Sequence, residues 1–256
     1  MNEENSLKSK TRNKVLKVGH FVVEFATPGI GHIMKSAGCD FVLFDMEHSG
    51  FSIETVKNAV RFMEAADLSM IVRVPSRDYD HIARICDMGA EGIMLPMVSN
   101  ANEAEKIVES IKYFPRGKRG VGLQLAHDNY RPGDVESKLT KANERTTVFA
   151  QIENEEGVAH AQEIAAVDGV DCLWVGHFDL SASLGIPGDF TNPKFTKAID
   201  SVIQAANKHQ KALGRLVATV EQGQELHQMG FDFICYSGDV WVLHNALAEA
   251  VNQLKQ

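Results

Sequence analysis

Two acids in this chain each follow a short apolar run. Residues 148–152 end at Glu153, and residues 172–175 lead through Gly176 to Asp179. Both runs have the length and β-branched content of buried strands. Between them, residues 157–166 place apolar side chains at helical spacing. Strand, helix, strand is the order of a parallel βαβ unit, whose strand ends open on one face of the sheet. Carboxylates meeting there are oxygen ligands for a hard divalent cation, and Mg²⁺ typically takes one or two carboxylates with water and substrate oxygens. The same acids also suit solvated loops, and spacing alone does not separate the two readings.

Further polar residues fall at the ends of other apolar runs. Asp45, Glu47 and His48 follow residues 41–44, and Arg73 follows residues 70–72. Histidine titrates nearest neutrality, so His48 is the natural proton carrier, with Asp45 and Glu47 near enough to orient it. As an alternative it is a loop histidine among acids. Arg73 offers a planar fork of donors for a carboxylate or an enolate oxygen, or else a rim ion pair. Asp87, late in a helix, reads locally as an ordinary helix residue. The basic run 116–119 reads as a solvated loop, or else as a holder of an anionic substrate group, and Trp174 and Trp241 read as core. No H-E-x-x-H or G-x-S-x-G pattern occurs, which argues against a zinc or serine hydrolase. Lys211 starts an apolar run, the wrong end for a Schiff base at the shared rim.

These residues need a scaffold that brings strand ends together. Apolar runs at 18–25, 41–44, 70–72, 92–95, 148–152, 172–175, 212–216 and 233–236 alternate with helical patterns, the last at 240–254. That predicts an α/β fold, a single-domain (β/α)₈ TIM barrel over residues 15–256, with residues 1–14 as a flexible polar tail. An open doubly wound sheet would need fewer units and usually a G-x-G-x-x-G turn, which no early run carries. Residues 114–134 form a long insertion rich in Gly and charge, of the kind that is often functional.

The 256 residues are 44% hydrophobic, enough for a sizeable core, and the net charge of −8 gives no basic surface for nucleic acid or an anionic membrane. No apolar run reaches membrane-span length, and no secretory signal opens the chain. The four cysteines are scattered, without metal-pair or disulfide spacing, so a reducing cytoplasm is the expected compartment.

An ordered set of motifs carries a resemblance: Asp45-Met46-Glu47-His48, Arg73, Leu95-Pro96-Met97-Val98, Arg119-Gly120-Val121-Gly122, Gln151-Ile152-Glu153 and Gly176-x-x-Asp179-Leu180-Ser181. The chain resembles the HpcH/HpaI aldolases, metal-dependent class II pyruvate aldolases, over nearly its whole length. The resemblance implies cleavage of a 4-hydroxy-2-oxo acid to pyruvate, or a related 2-oxo acid, and an aldehyde. It implies Glu153 and Asp179 as ligands of Mg²⁺, Mn²⁺ or Co²⁺, with Gln151 beside the bound pyruvate. It implies Arg73 as enolate stabiliser, His48 with Asp45 in proton transfer, and Asp87 as a functional acid that can reach a neighbouring subunit's site. Gly176, His177 and Phe178 would line the substrate pocket. Here the chain departs from the family, which often has Gly-Pro-x-Asp-Leu with a small residue before the metal acid, and Phe178 is large. The resemblance further implies a hexamer built from dimers that exchange the last helix. Other readings on the same barrel are a citryl-CoA-type metal-enolate lyase and a non-catalytic 2-oxo acid binder.

Overall fold

The computed structural model describes residues 6–256. Its eight strands are β1 (Lys17–Val22), β2 (Phe41–Asp45), β3 (Ser69–Arg73), β4 (Gly92–Leu95), β5 (Thr147–Ile152), β6 (Cys172–Val175), β7 (Ala212–Val217) and β8 (Phe233–Gly238). They close in sequence order into one barrel in which every neighbouring pair is parallel. The helices are α1 (Leu7–Arg12), α2 (Ile30–Ser36), α3 (Ile53–Ala65), α4 (Tyr79–Asp87), α5 (Ala101–Ile111), α6 (Val135–Arg145), α7 (Glu155–Ala159), α8 (Ala161–Ala166), α9 (His177–Ser183), α10 (Pro193–Lys208), α11 (Val220–Gln228) and α12 (Asp239–Leu254). The (β/α)₈ barrel expected from the alternation is what the chain forms.

The period of two along each strand makes two cores. Leu43, Ile71, Phe149, Trp174 and Phe233 fill the barrel, with aromatic rings meeting edge-on and tilted. Phe44, Val72, Ala150, Val175 and Ile234 face outward against the helices. Strands buried on both faces read as unbroken apolar runs, which is why they stand out in the sequence. The helix starts are set locally: Ser52, Asn100, Asp134, Asn192 and Thr219 each accept an N–H of the first turn.

Four expectations are corrected. The polar opening is not a tail from Leu7 onward. Residues 1–5 lie outside the described residues, but α1 buries Leu7 under the barrel floor, and Lys8 Nζ reaches Asp171 Oδ1 at 2.5 Å. The helix expected over 157–166 is two helices parted at His160, whose N–H closes back on Glu156 O. Arg119 is buried rather than solvated; it pairs with Asp87 and lies over the Tyr113 ring. Trp241 is not core. It lies on α12, whose only buried residue is Asp239 at its start, and is 45% exposed.

With α12 projecting away, the part of the outer wall over β8 and β1 that α11 does not cover is bare. A groove of about 590 Å³ runs there, walled by Leu16, Val18, Val217, Val220, Ile234 and Tyr236. Among the described residues no helix is long and apolar enough to cross a membrane.

Candidate active site

Two residues beyond Leu43, Ile71, Phe149 and Trp174 stand Asp45, Arg73, Gln151 and Gly176. The strand period therefore turns all four inward at the barrel mouth. Asp45 is fully buried. Its Oδ1 accepts from Arg73 Nε at 2.7 Å and from Glu47 N at 3.0 Å, and its Oδ2 accepts from His48 N at 3.1 Å. Ser49 Oγ donates to the Asp45 carbonyl at 2.5 Å, so the 46–49 loop is wound around this one residue. Burial works against the charge of Arg73, but the hydrogen bond and charge of Asp45, then Glu47 and Glu153, hold its pKa above the ordinary arginine value. Phe21 lies under the guanidinium at 5.3 Å. Glu47 Oε2 sits 3.2 Å from Arg73 Nε, yet the single Nε hydrogen already goes to Asp45, so Glu47 gains attraction without a hydrogen bond. Burial accordingly pushes the Glu47 carboxyl up despite Arg73 and His48. His48 is 66% exposed, with Nε2 at 3.8 Å from Glu47 Oε2.

Glu153 follows β5 and is 2% exposed. Oε1 accepts from Met97 N at 2.6 Å, and Oε2 from Gln151 Nε2 at 2.5 Å. Burial pushes its pKa up to about 7; Met97 N–H and Arg73 pull it down, while Glu47 and Asp179 push it further up. Gly176 makes the space for this carboxylate, since a Cβ there would lie 2.3 Å from Glu153 Oε2. Gln151 Oε1 is buried with no hydrogen-bond partner. Asp179, exposed in the first turn of α9, completes the acidic group. Buried, mutually repelling carboxylate charge beside an unpaired amide oxygen is an oxygen donor set that suits a hard divalent cation. The residues present therefore fit such an ion. Among the described residues, a tighter set of ligand atoms lies at the start of α4, where Asp78, Asp80 and His81 converge within 4.8 Å. That set is mostly exposed, and Ser76 Oγ already contacts both Asp78 Oδ2 and His81 Nδ1.

Not every expected residue is brought to the mouth. Asp87 ends α4, away from the rim, paired with Arg119. His177 turns to Phe178 and Phe190, with ring centroids at 4.5 and 5.1 Å. Burial, then the charge of Arg215, pushes its imidazole down to about 3, so it is neutral and no cationic proton donor. Phe178 is 62% exposed beside Asp179, not packed into the helix layer. Two participants were not foreseen. Met97 donates its N–H to Glu153 from a left-handed backbone, φ 55°, which nothing in its residue type announces. Asp239 accepts from the backbone N–H groups of Val23, Glu24 and Phe25, tying the end of β1 to the start of α12. An acid three residues past the apolar run 233–236 was a readable signal there.

Residues 18–246 match the family described as HpcH/HpaI aldolase/citrate lyase. A hydroxypyruvate/pyruvate aldolase of Chromohalobacter salexigens is 34% identical, covering 90% of this chain and 91% of its own length. A 5-keto-4-deoxy-D-glucarate aldolase of Shigella boydii is 29% identical over 98% of this chain and 97% of its own. The crystal structure of an HpcH/HpaI aldolase from Desulfitobacterium hafniense superposes with a TM-score of 0.93 at 31% identity, covering 98% of this chain and 97% of that one. A barrel mouth built from these motifs, matched along nearly its full length, places the chain in the HpcH/HpaI aldolase/citrate lyase family, and it is a carbon–carbon lyase.

Proposed function

We propose that the chain is a class II aldolase that cleaves a 4-hydroxy-2-oxo acid to pyruvate, or a related 2-oxo acid, and an aldehyde. The observation that carries this reading is Glu153, a carboxylate buried in the space left by Gly176 and facing Arg73 and Asp179. Mg²⁺, Mn²⁺ or Co²⁺ held by Glu153 and Asp179 supplies Lewis acidity toward the 2-oxo acid. Gln151 and the backbone near Gly176 border the place where that acid sits. Asp45 fixes Arg73 through Nε, and among the described residues no acceptor holds its Nη groups, so they are free to bind the oxygen on which enolate charge develops. His48 takes the proton of the C4 hydroxyl as the C3–C4 bond breaks. The aldehyde leaves, and the electron pair stays on the 2-oxo acid as its enolate. Protonation at C3 completes the reaction. Glu47 supports the imidazolium, and Phe178 offers the departing aldehyde an apolar edge.

The test is pyruvate release from a panel of 4-hydroxy-2-oxo acids, with a citryl-CoA ester as a further arm. Turnover should vanish with chelator and return with Mn²⁺. Arg73→Ala should slow both cleavage and exchange of pyruvate protons in D₂O by on the order of a hundredfold or more. His48→Ala should lower cleavage by roughly a hundred- to ten-thousandfold. Full activity in excess chelator, or cleavage of the CoA ester alone, would overturn the reading.

We also propose a homo-oligomer, a hexamer built from dimers, in which α12 of one subunit covers the bare wall of another. The exposed apolar residues of α12 and the empty groove support this. A cytoplasmic setting is in keeping with four free cysteines, three of them buried.

A further inference from the structure

Met97 is held in a conformation that its own side chain does nothing to secure. Its φ of 55° is one that L residues other than Asn, Asp and His seldom adopt, and its side chain is 44% exposed, so packing does not enforce it. Its neighbour is anchored separately, since Val98 N donates to Gln151 O at 3.1 Å. What grips Met97 is its own peptide groups. The N–H goes to Glu153 Oε1, and the carbonyl accepts from Arg77 Nη1 at 2.9 Å, with Ser99 Oγ at a longer 3.4 Å. Arg77 also pairs with Glu103 through Nη1. Glu103 is itself fixed in the first turn of α5. Its N–H is capped by Asn100 Oδ1 at 3.0 Å, and its Oε2 accepts from Ser99 N at 2.8 Å. A continuous line of contacts thus runs from the start of α5 through Arg77 to the peptide that feeds Glu153.

We propose that Arg77 is a positioning residue: its guanidinium, clamped by Glu103, holds the Met97 peptide in the left-handed conformation that aims the Met97 N–H at Glu153. The proposal rests on the reading of Glu153 as a ligand of the divalent cation. Without Arg77 the Met97 carbonyl loses its principal donor, and the residue relaxes toward negative φ. The N–H then turns away, and Glu153 keeps only Gln151 to orient it. Outer contacts that orient a ligand are typically worth ten- to a hundredfold in metal affinity.

Arg77 also walls a cavity of about 490 Å³ with Glu47, Met97 and Lys106, next to the mouth, so a direct contact with substrate is the competing role. Mn²⁺ binding, measured by calorimetry on the full-length protein without substrate, separates the two. Arg77→Ala should bind Mn²⁺ roughly ten- to a hundredfold more weakly, with the melting temperature of the metal-free protein unchanged. Arg77→Lys, which keeps a donor, should lie between. Adding Met97→Gly to Arg77→Ala should recover part of the loss, because glycine takes positive φ without a clamp. Wild-type Mn²⁺ affinity in Arg77→Ala, with only KM raised, would assign Arg77 to substrate and overturn the proposal. Glu153→Gln is the control for the underlying reading. If it binds Mn²⁺ normally, Glu153 is not a ligand whatever Arg77 does; if it loses Mn²⁺ while Arg77→Ala does not, the positioning role alone falls.

Discussion

At the scale of single residues, Glu153 carries a cost that its surroundings only partly offset. Its folded pKa of about 7 lies above the ordinary glutamate value of 4.5. Between those values the folded metal-free protein holds a proton that the unfolded chain has released, so its stability falls as pH rises through this window and levels off above it. The shift corresponds to on the order of 3 kcal/mol. Thermal melts of the metal-free protein from about pH 4.5 to about pH 8 should show this decline. Glu153→Gln should flatten it and remove the stabilisation that Mn²⁺ gives the wild type near pH 8. A wild-type melt that stays level across the window would mean that the carboxylate is less confined than its burial indicates. Arg73 and Asp45 present the opposite case, a buried charge matched by a partner at 2.7 Å.

At the scale of elements, the site depends on how closely β5 and the β6–α9 turn approach. Gly176 allows that approach, since an added Cβ would also lie 2.9 Å from Gln151 Nε2. Gly176→Ala should leave the barrel folded by circular dichroism but weaken Mn²⁺ and pyruvate binding by at least about tenfold, as disturbance of ligand orientation does. Unchanged binding would show that the Glu153 side chain has room to swing aside. The strands and their polar ends were legible because two-sided burial writes a strand as an apolar run, and the first residue after it that turns inward stands at the mouth. Asp45, Arg73 and Glu153 were found that way, whereas Gln151, inside its strand, was marked only by the family resemblance. The left-handed turn at Met97 was not, since methionine has no preference for it. The Asp87–Arg119 pair was hidden because charged residues ordinarily signal solvent. The break at His160 was hidden because both halves keep a helical apolar pattern.

At the scale of the molecule, the unresolved question in the sequence was whose wall the last helix covers. An amphipathic pattern is the same whether the helix packs on its own barrel or on another. The fold answers in part: Trp241, Val242, Leu243 and Leu247 are each more than two-fifths exposed on a helix whose own barrel has a bare apolar groove. Trp241→Glu should weaken self-association by about 2 kcal/mol or more, roughly thirtyfold, read by light scattering against dilution, with the barrel's circular dichroism retained. A variant that stays fully assembled would place the subunit contacts elsewhere. The other end of the chain has a consequence of its own, in time rather than space. Leu7 belongs to the inner core, and Lys10 reaches Asp40 O and Ser69 Oγ, while Lys14 reaches Lys211 O across a separation of 197 residues. The floor on which α1 rests exists only when all the strands have joined. The residues of α1 are therefore seated only once the ring has closed, and a fluorophore placed at Ser9 would report that closing, its signal changing only after the sheet's own amides are protected from exchange.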